Sequence, residues 1–311
     1  MKIYRNLEEI PEPFSYACVT IGNFDGVHLG HQLLFYEVQH RARVHGGTAV
    51  AITFDPHPLE VLRPDGVKLL SSCEEKVALV EQAGLDVLVI VPFTRDFAAI
   101  TAERFVAQLL SHTGMKELVV GYDYAFGKGR TGDIAFLRNQ GAQKDFTVTV
   151  LDAHYQEGVL VSSTRVRALL GEGEVAAARK LLGRDYQITG EVQRGMQRGS
   201  RLGFPTANLH FSSQELVPRH GVYAVRVHYE KQSYGGVLNI GCNPTFGAQE
   251  ALAEVHIFDF DEDIYGKALK IDLIRFLRKE KKYDDVATLV AQIERDVVAA
   301  KTILADYDII E

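Results

Sequence analysis

Cysteine is scarce in this chain, and the three that occur, Cys18, Cys73 and Cys242, lie far apart with no CxxC or Cys/His spacing. That spacing excludes a disulfide framework and a thiolate zinc site, and fits idle thiols in a reducing cytosol. Basic charge is not in excess either, since 34 Lys and Arg face 41 Asp and Glu for a net charge of -7. An overall cationic footprint is therefore missing, and no nucleic-acid partner is expected. Long apolar runs are also missing, and stretches such as Val87 to Phe93 fall far below the roughly 20 residues of a membrane span. The opening MKIYRNLEEIPEP has three Glu and no apolar core. Neither export nor membrane association is expected, and the expected compartment is the cytoplasm. No repeat or low-complexity segment occurs. What is present is globular material: 311 residues, 46% of them hydrophobic, are enough for about two domains of roughly 150 residues. No apolar patch can be assigned from sequence, so the oligomeric state is left unassigned.

Two grammars divide the chain. From residue 17 to about 152, the runs ACVTIG, TAVAITF, VLVIVPF, ELVVG and FTVTVLD alternate with helical patterns. Those patterns are Leu29 to Val44 closed by Gly46-Gly47, Glu74 to Ala83 behind Ser72, and Ala102 to His112 behind Thr101. Continuous apolar strands separated by helices predict an α/β, Rossmann-like domain with an open parallel sheet and helices on both sides. Two short helices, Thr164 to Leu170 and Val175 to Leu182, close it. After Gly183 alternating strands take over at Val222 to Tyr229, Val237 to Ile240, Ala251 to Phe260 and Leu269 to Leu277, which predicts an antiparallel sheet or small β-barrel. A last helix follows Asp284, with Val286, Leu289, Ile293, Val297 and Leu304 on one face, packed on the barrel as a lid or end plate. The expected domains are 1–183 and 184–311.

In the first domain GNFDGVHLGH, residues 22–31, sits where the first strand ends and the first helix begins. A parallel sheet presents backbone N–H groups and a positive helix end there, which makes this a phosphate site by position. Gly22, Gly26 and Gly30 permit close backbone approach, and His28 and His31 can both donate to one anion. VSSTRVR, residues 161–167, brings Ser163, Thr164 and Arg167 to another helix start. TFDPHP (53–58) and GYDYAFGKGRTGD (121–133) each follow a strand on the same sheet edge. The aromatic and charged mixture of the latter suits a flat ligand bearing a phosphate. HLGH resembles the HxGH signature of adenylyl- and cytidylyltransferases, and VSSTRVR matches that group's ISSTxxR form.

In the second domain, GEVQRGMQRGSRLGFPTANLHF (190–211) mixes glycine with arginine but is neither GxxxxGK[ST] nor GxGxxG. On those features a solvated loop and a phosphate site stand level. LGFPTANL, GVYAV, NIGCNPTFG, EVHIFDF and DIYGK, in that order, resemble riboflavin kinase. With the HxGH domain in front, the chain resembles the bacterial bifunctional riboflavin kinase/FAD synthetase from about residue 15 to 305.

The resemblance implies two ATP-dependent steps, riboflavin to FMN and FMN to FAD with release of pyrophosphate, with Mg2+ as cofactor. It implies that His28 and His31 act in adenylyl transfer, that Gly22, Asn23, Phe24, Gly30, Ser163, Thr164 and Arg167 hold ATP and its phosphates, and that His57, Asp123, Phe126, Arg130 and Asp133 hold the flavin. For the kinase it implies Gly195, Arg201, Gly203, Pro205 and Thr206 around the phosphates, Thr206 and Asn208 at the metal, and Glu254 as the base. Tyr124 stands where the family usually has Phe. The alternative is a single-activity nucleotidyltransferase carrying the barrel as a regulatory flavin-binding module. A regulatory binding protein without turnover would be expected to have lost His28, His31 or Glu254, and all three are present.

Overall fold

The computed structural model describes the chain except residues 64, 196–198, 200, 201, 212, 213, 243–250, 310 and 311. Two compact units follow one another, Met1–Ser163 and Thr164–Glu311.

In the first unit, strands β1 (Lys2–Tyr4), β2 (Ala17–Ile21), β3 (Thr48–Asp55), β4 (Val87–Pro92), β5 (Met115–Gly121) and β6 (Thr147–Leu151) form one sheet in the order β1-β4-β3-β2-β5-β6. Every pairing is parallel. As expected of strands covered on both faces, β2 is buried at every residue. Helices α1 (Leu29–His45) and α3 (Cys73–Gln82) cover one face through Phe35, Val38 and Val80, and α5 (Ala102–Thr113) covers the other through Phe105, Val106 and Leu109.

The local signals explain the helix ends. Gly46 closes α1 at φ 61, and Ser72 with Glu75 forms a reciprocal capping box on α3. The expected helices agree, but α2 (Pro58–Leu62), α4 (Arg95–Ala98) and α6 (Ile134–Lys144) were not anticipated. Helix α6 buries only Leu137 and Gly141, too thin a stripe to read as a period, and Gly141 is needed because an added Cβ would lie 2.5 Å from the Phe146 carbonyl oxygen. Short β1 escapes notice because it is an edge strand that, among the described residues, pairs with β4 alone. Tyr155–Gln156 (β7) and Val159–Leu160 (β8) make a small hairpin.

The second unit begins with α7, whose range is Ser163–Glu172, and α8 (Val175–Leu182). Helix α8 packs on β9 (Tyr186–Glu191) and on β14 (Ala268–Arg278), so it belongs to this unit by contact. The compact division therefore falls some twenty residues before the expected one at 183. Strands β10 (Ala207–His210), β11 (Gly221–Tyr229), β12 (Gln232–Cys242) and β13 (Ala251–Ile257) complete a six-stranded antiparallel sheet, β10-β13-β12-β11-β14-β9. A bridge between Gln193 and Asn208 joins its two edges, making a nearly closed barrel. Strands β9 and β10 are short and were not anticipated.

Helix α9 (Val286–Asp308), capped by Asp285, packs on β11, β12 and β14 with Ala300 and Leu304 buried. Val286 is 61% exposed and does not join that face, whereas Leu289, Ile293 and Val297 line a cavity.

Candidate active sites

Strand β2 lies between β3 and β5, so the chain reverses its direction of travel across the sheet at the β2/β5 gap. In a parallel sheet that reversal opens a crevice at the carboxyl ends of the strands. The loop after β2 occupies it in a strained form: Phe24 (φ 49) and Val27 (φ 38) adopt the left-handed region together with Gly26 (φ 76). Such strain costs on the order of 1–3 kcal/mol per residue and persists only where packing over-determines it. Here Phe24, Asp25 and Val27 are all buried. Asp25 Oδ1 accepts from the Leu70 and Ser71 amides at 2.9 and 3.3 Å, and the Ser71 hydroxyl oxygen accepts from the Gly26 amide at 3.1 Å.

His28 is the N-cap of α1, its Nδ1 accepting from the His31 amide at 3.3 Å. In the neutral imidazole this places the ring proton on Nε2. The His28 and His31 rings stack at 3.6 Å and 17°, and Phe24 meets His31 edge-on at 5.3 Å. A Cβ on Gly30 would sit 3.2 Å from the His28 ring, so the glycine in HLGH makes room for the folded-back imidazole. The first turn of α1 has no acidic residue to neutralise its positive end.

The other predicted residues divide by role. Ser163 donates its hydroxyl to the Asp25 carbonyl at 2.9 Å, tying the SST motif to the histidine loop. Thr164 is exposed and Arg167 half-buried on α7. His57 is buried and caps α2, its Nδ1 accepting from the Leu59 amide at 3.1 Å. In the 121–133 loop, Phe126 packs against Phe105, Phe136 and Tyr124, and desolvation pushes the Tyr124 phenol well above its ordinary value. Asp123 and Arg130 are exposed there, and Asp133 caps α6 by accepting from the Phe136 amide at 2.8 Å. Asn23 is exposed, while its carbonyl accepts the Thr53 hydroxyl at 3.1 Å.

Sequence reading missed Asp25, Ser71, Thr53 and Lys76, which hold this loop. Asp25 lies inside the quoted motif, but nothing local marks a carboxylate that bonds amides some 45 residues onward.

The second unit holds a cavity of about 550 Å³ lined by Thr206, Asn208, Leu252, Glu254 and His256 from one side and by Leu289, Ile293 and Val297 of α9 from the other. Residues 254 and 208 are direct cross-strand partners, and 254 also pairs with Asn239. Phe258, further along the chain, packs in the core with Val222, Ala224 and Leu304. Among the described residues, the Oδ1 of buried Asn208 has no hydrogen-bond partner. Gly195 lies against that amide, because a Cβ there would fall 2.5 Å from Nδ2. Gly203 adopts φ 87, and the Pro205 carbonyl lies 2.9 Å from His256 Nδ1. Arg201 and part of NIGCNPTFG lie outside the described residues. Arg278 and Asp296, both on the cavity wall, form a forked ion pair at 2.7–3.0 Å that fastens α9 to β14.

Comparison with known proteins gives consistent results for both units. A family model described as FAD synthetase matches residues 11–165, and one described as riboflavin kinase matches residues 182–304. A bifunctional riboflavin kinase/FMN adenylyltransferase of Escherichia coli (strain K12) is 37% identical over 305 residues, covering 97% of each chain. The protein of that description from Bacillus subtilis (strain 168) is 35% identical, covering 92% of each. A solved chain from Streptococcus pneumoniae, described as a macrolide-efflux protein, shares 33% identity with a TM-score of 0.87 over 96% of this chain and 98% of its own.

Proposed function

The chain belongs to the bifunctional riboflavin kinase/FMN adenylyltransferase family, and on that premise we propose which residues carry each of its two reactions. It is a transferase that phosphorylates riboflavin with ATP to give FMN, then joins FMN to the adenylyl group of a second ATP to give FAD. The site assignments rest above all on one observation: Asn208 and Glu254, 46 positions apart in the sequence, face each other across two strands in the wall of one cavity.

In the kinase step, Glu254 accepts the proton of the riboflavin 5'-hydroxyl as that oxygen attacks the γ-phosphorus of ATP and ADP leaves. The strand holds the carboxylate rigidly while α9 supplies an apolar wall for the flavin. Gly195, Gly203 and Pro205 border the phosphates, and Arg201 is assigned to them by the family resemblance alone.

The residues present fit a magnesium ion. Thr206 and Asn208 offer hard oxygen donors, the buried Asn208 Oδ1 lacks a protein partner among the described residues, and no cluster of three or more His, Cys, Asp or Glu occurs among them. That donor set suits an ion that takes one or two protein ligands and completes its shell with water and phosphate oxygens. Bound magnesium supplies positive charge against the triphosphate.

In the adenylylation step, a phosphate oxygen of FMN attacks the α-phosphorus of ATP in line and pyrophosphate leaves. His28, His31 and the amides at the start of α1 bear the charge that develops on the equatorial oxygens, as preorganised donors do. Ser163, Thr164 and Arg167 take the leaving pyrophosphate. Gly22, Asn23, Phe24 and Gly30 shape the nucleotide loop, and His57, Asp123, Phe126, Arg130 and Asp133 border the flavin.

Because Thr164 and Arg167 serve the first reaction, the functional modules are 1–183 and 184–311. No helix among the described residues is long and apolar enough to cross a membrane. The chain acts in the cytoplasm on small molecules, with neither nucleic acid nor membrane as partner. Incubation with ATP and magnesium, once with riboflavin and once with FMN supplied directly, followed by chromatography, should yield FMN and then FAD from the first and FAD from the second; no FMN from riboflavin would remove the kinase site, and no FAD from supplied FMN would remove the adenylylation site.

A further inference from the structure

Lys76 on α3 is only 5% exposed, yet it makes no ion pair among the described residues. A lysine so placed is uncommon, because desolvating an ammonium costs several kcal/mol unless a partner compensates. Its Nζ donates to the Thr53 hydroxyl oxygen at 3.4 Å and to the Phe54 carbonyl at 3.3 Å, at the carboxyl end of β3. Thr53, itself fully buried, donates its hydroxyl to the Asn23 carbonyl at 3.1 Å. The relay therefore runs from a buried cation through one hydroxyl into the strained loop after β2. The titratable groups facing Lys76 are Asp25 in that loop, Asp55 at the end of β3, Glu60 on α2 and Cys73 on its own helix.

A methionine or leucine would fill this space without the desolvation cost, so packing alone does not account for the charge. The relay does. With Lys76 donating, the Thr53 oxygen has an assigned acceptor role and its single proton is committed to Asn23. That fixes the carbonyl at the very turn where the backbone enters the left-handed region. The ammonium also adds positive charge beneath a loop assigned to polyphosphate.

We propose that Lys76 is a positioning residue of the adenylylation site: its ammonium locks the Thr53 hydroxyl, and through it the Asn23 carbonyl, so that the loop after β2 stays shaped for the triphosphate of ATP. The proposal rests on the assignment of that loop to adenylyl transfer. Lys76 touches no reacting atom in this account and acts through its neighbours.

The test uses the full chain carrying Lys76→Met, Lys76→Arg or Thr53→Val, with FAD formation measured against ATP and against FMN, and FMN formation from riboflavin as an internal control. Lys76→Met should raise the KM for ATP by roughly tenfold, with the KM for FMN within about twofold and the riboflavin reaction unchanged. Lys76→Arg, which keeps the charge, should recover part of the ATP affinity. The thermal midpoint of Lys76→Met should be unchanged or higher. An ATP KM within about twofold of the wild type, or a fall in kcat with both KM values unchanged, would overturn the proposal; the second is what a smaller folded fraction produces. If Lys76→Met does not fold, Thr53→Val decides by the same ATP criterion, since it removes the relay hydroxyl at nearly constant volume. His28→Ala, run alongside, separates the two levels. Undiminished FAD synthesis there would remove the site assignment itself, and this proposal with it.

Discussion

Asn208 on β10 and Glu254 on β13 are direct cross-strand partners, so their side chains leave the sheet on the same face and into the same cavity. Adjacent residues on a pleated ladder stand about 5 Å apart, so both side chains can reach one bound ligand. Glu254→Gln keeps the size and removes the charge. It should lower kcat for FMN formation by roughly a hundred to ten thousandfold with little change in riboflavin KM, while FAD formation from supplied FMN stays near wild type. Steady-state assays of the two half-reactions check this, and a kinase still at full rate would remove Glu254 as the base.

Asn208→Ala removes the oxygen that has no protein partner among the described residues. The magnesium concentration giving half-maximal kinase rate should rise, on the order of tenfold, and that of the adenylylation step should not move. Metal titrations of the two half-reactions read this directly, and coincident curves for variant and wild type would place the ion elsewhere.

Gly30→Ala tests the stacked histidines without removing either. Alanine is the better helix former by about 1 kcal/mol, so stability should hold or rise. The new Cβ nevertheless crowds the His28 ring at 3.2 Å, so the imidazole stacked on His31 must shift by a few tenths of an ångström. FAD formation should fall roughly tenfold, because small misplacements of donors are costly in rate, and FMN formation should be unaffected. A melting curve and the two assays together distinguish this from unfolding.

The parallel sheet and its helices were legible because strands buried on both faces read as unbroken apolar runs and the helix ends carry Ser72, Thr101 and Gly46 in their expected places. Glu254 is singled out only by its resemblance to a family motif, since a half-buried carboxylate on an alternating strand looks like a solvated one. Lys76 and Asp25 were not legible. Lys76 sits one residue after a Glu-Glu pair on a helix of low amphipathicity, where a lysine reads as surface. Its burial is decided by Thr53 and Phe54 of β3, 23 and 22 residues earlier. Val286 shows the opposite error: periodicity placed it on the packed face of α9, but that face begins its cover of the barrel further along.

Burial holds the Lys76 ammonium below its ordinary value. A base with a lower pKa folded than unfolded binds fewer protons in the native state between the two values. Its destabilising contribution is therefore fully present below the folded pKa and is relieved as pH rises through it toward the unfolded value of 10.5. Urea unfolding of the wild type, measured relative to Lys76→Met, should accordingly show stability rising from neutral pH toward that value. A difference that stays flat or falls would mean that the charge is not buried in solution.

If one chain carries two active sites, one for each reaction, His28→Ala should silence one and spare the other. With riboflavin, ATP and magnesium supplied together and products followed by chromatography, the variant should form FMN at the wild-type rate. FAD should appear at least about a hundredfold more slowly, the usual loss when a donor to transition-state charge is removed. FAD at the wild-type rate, or equal losses of both products, would contradict the account.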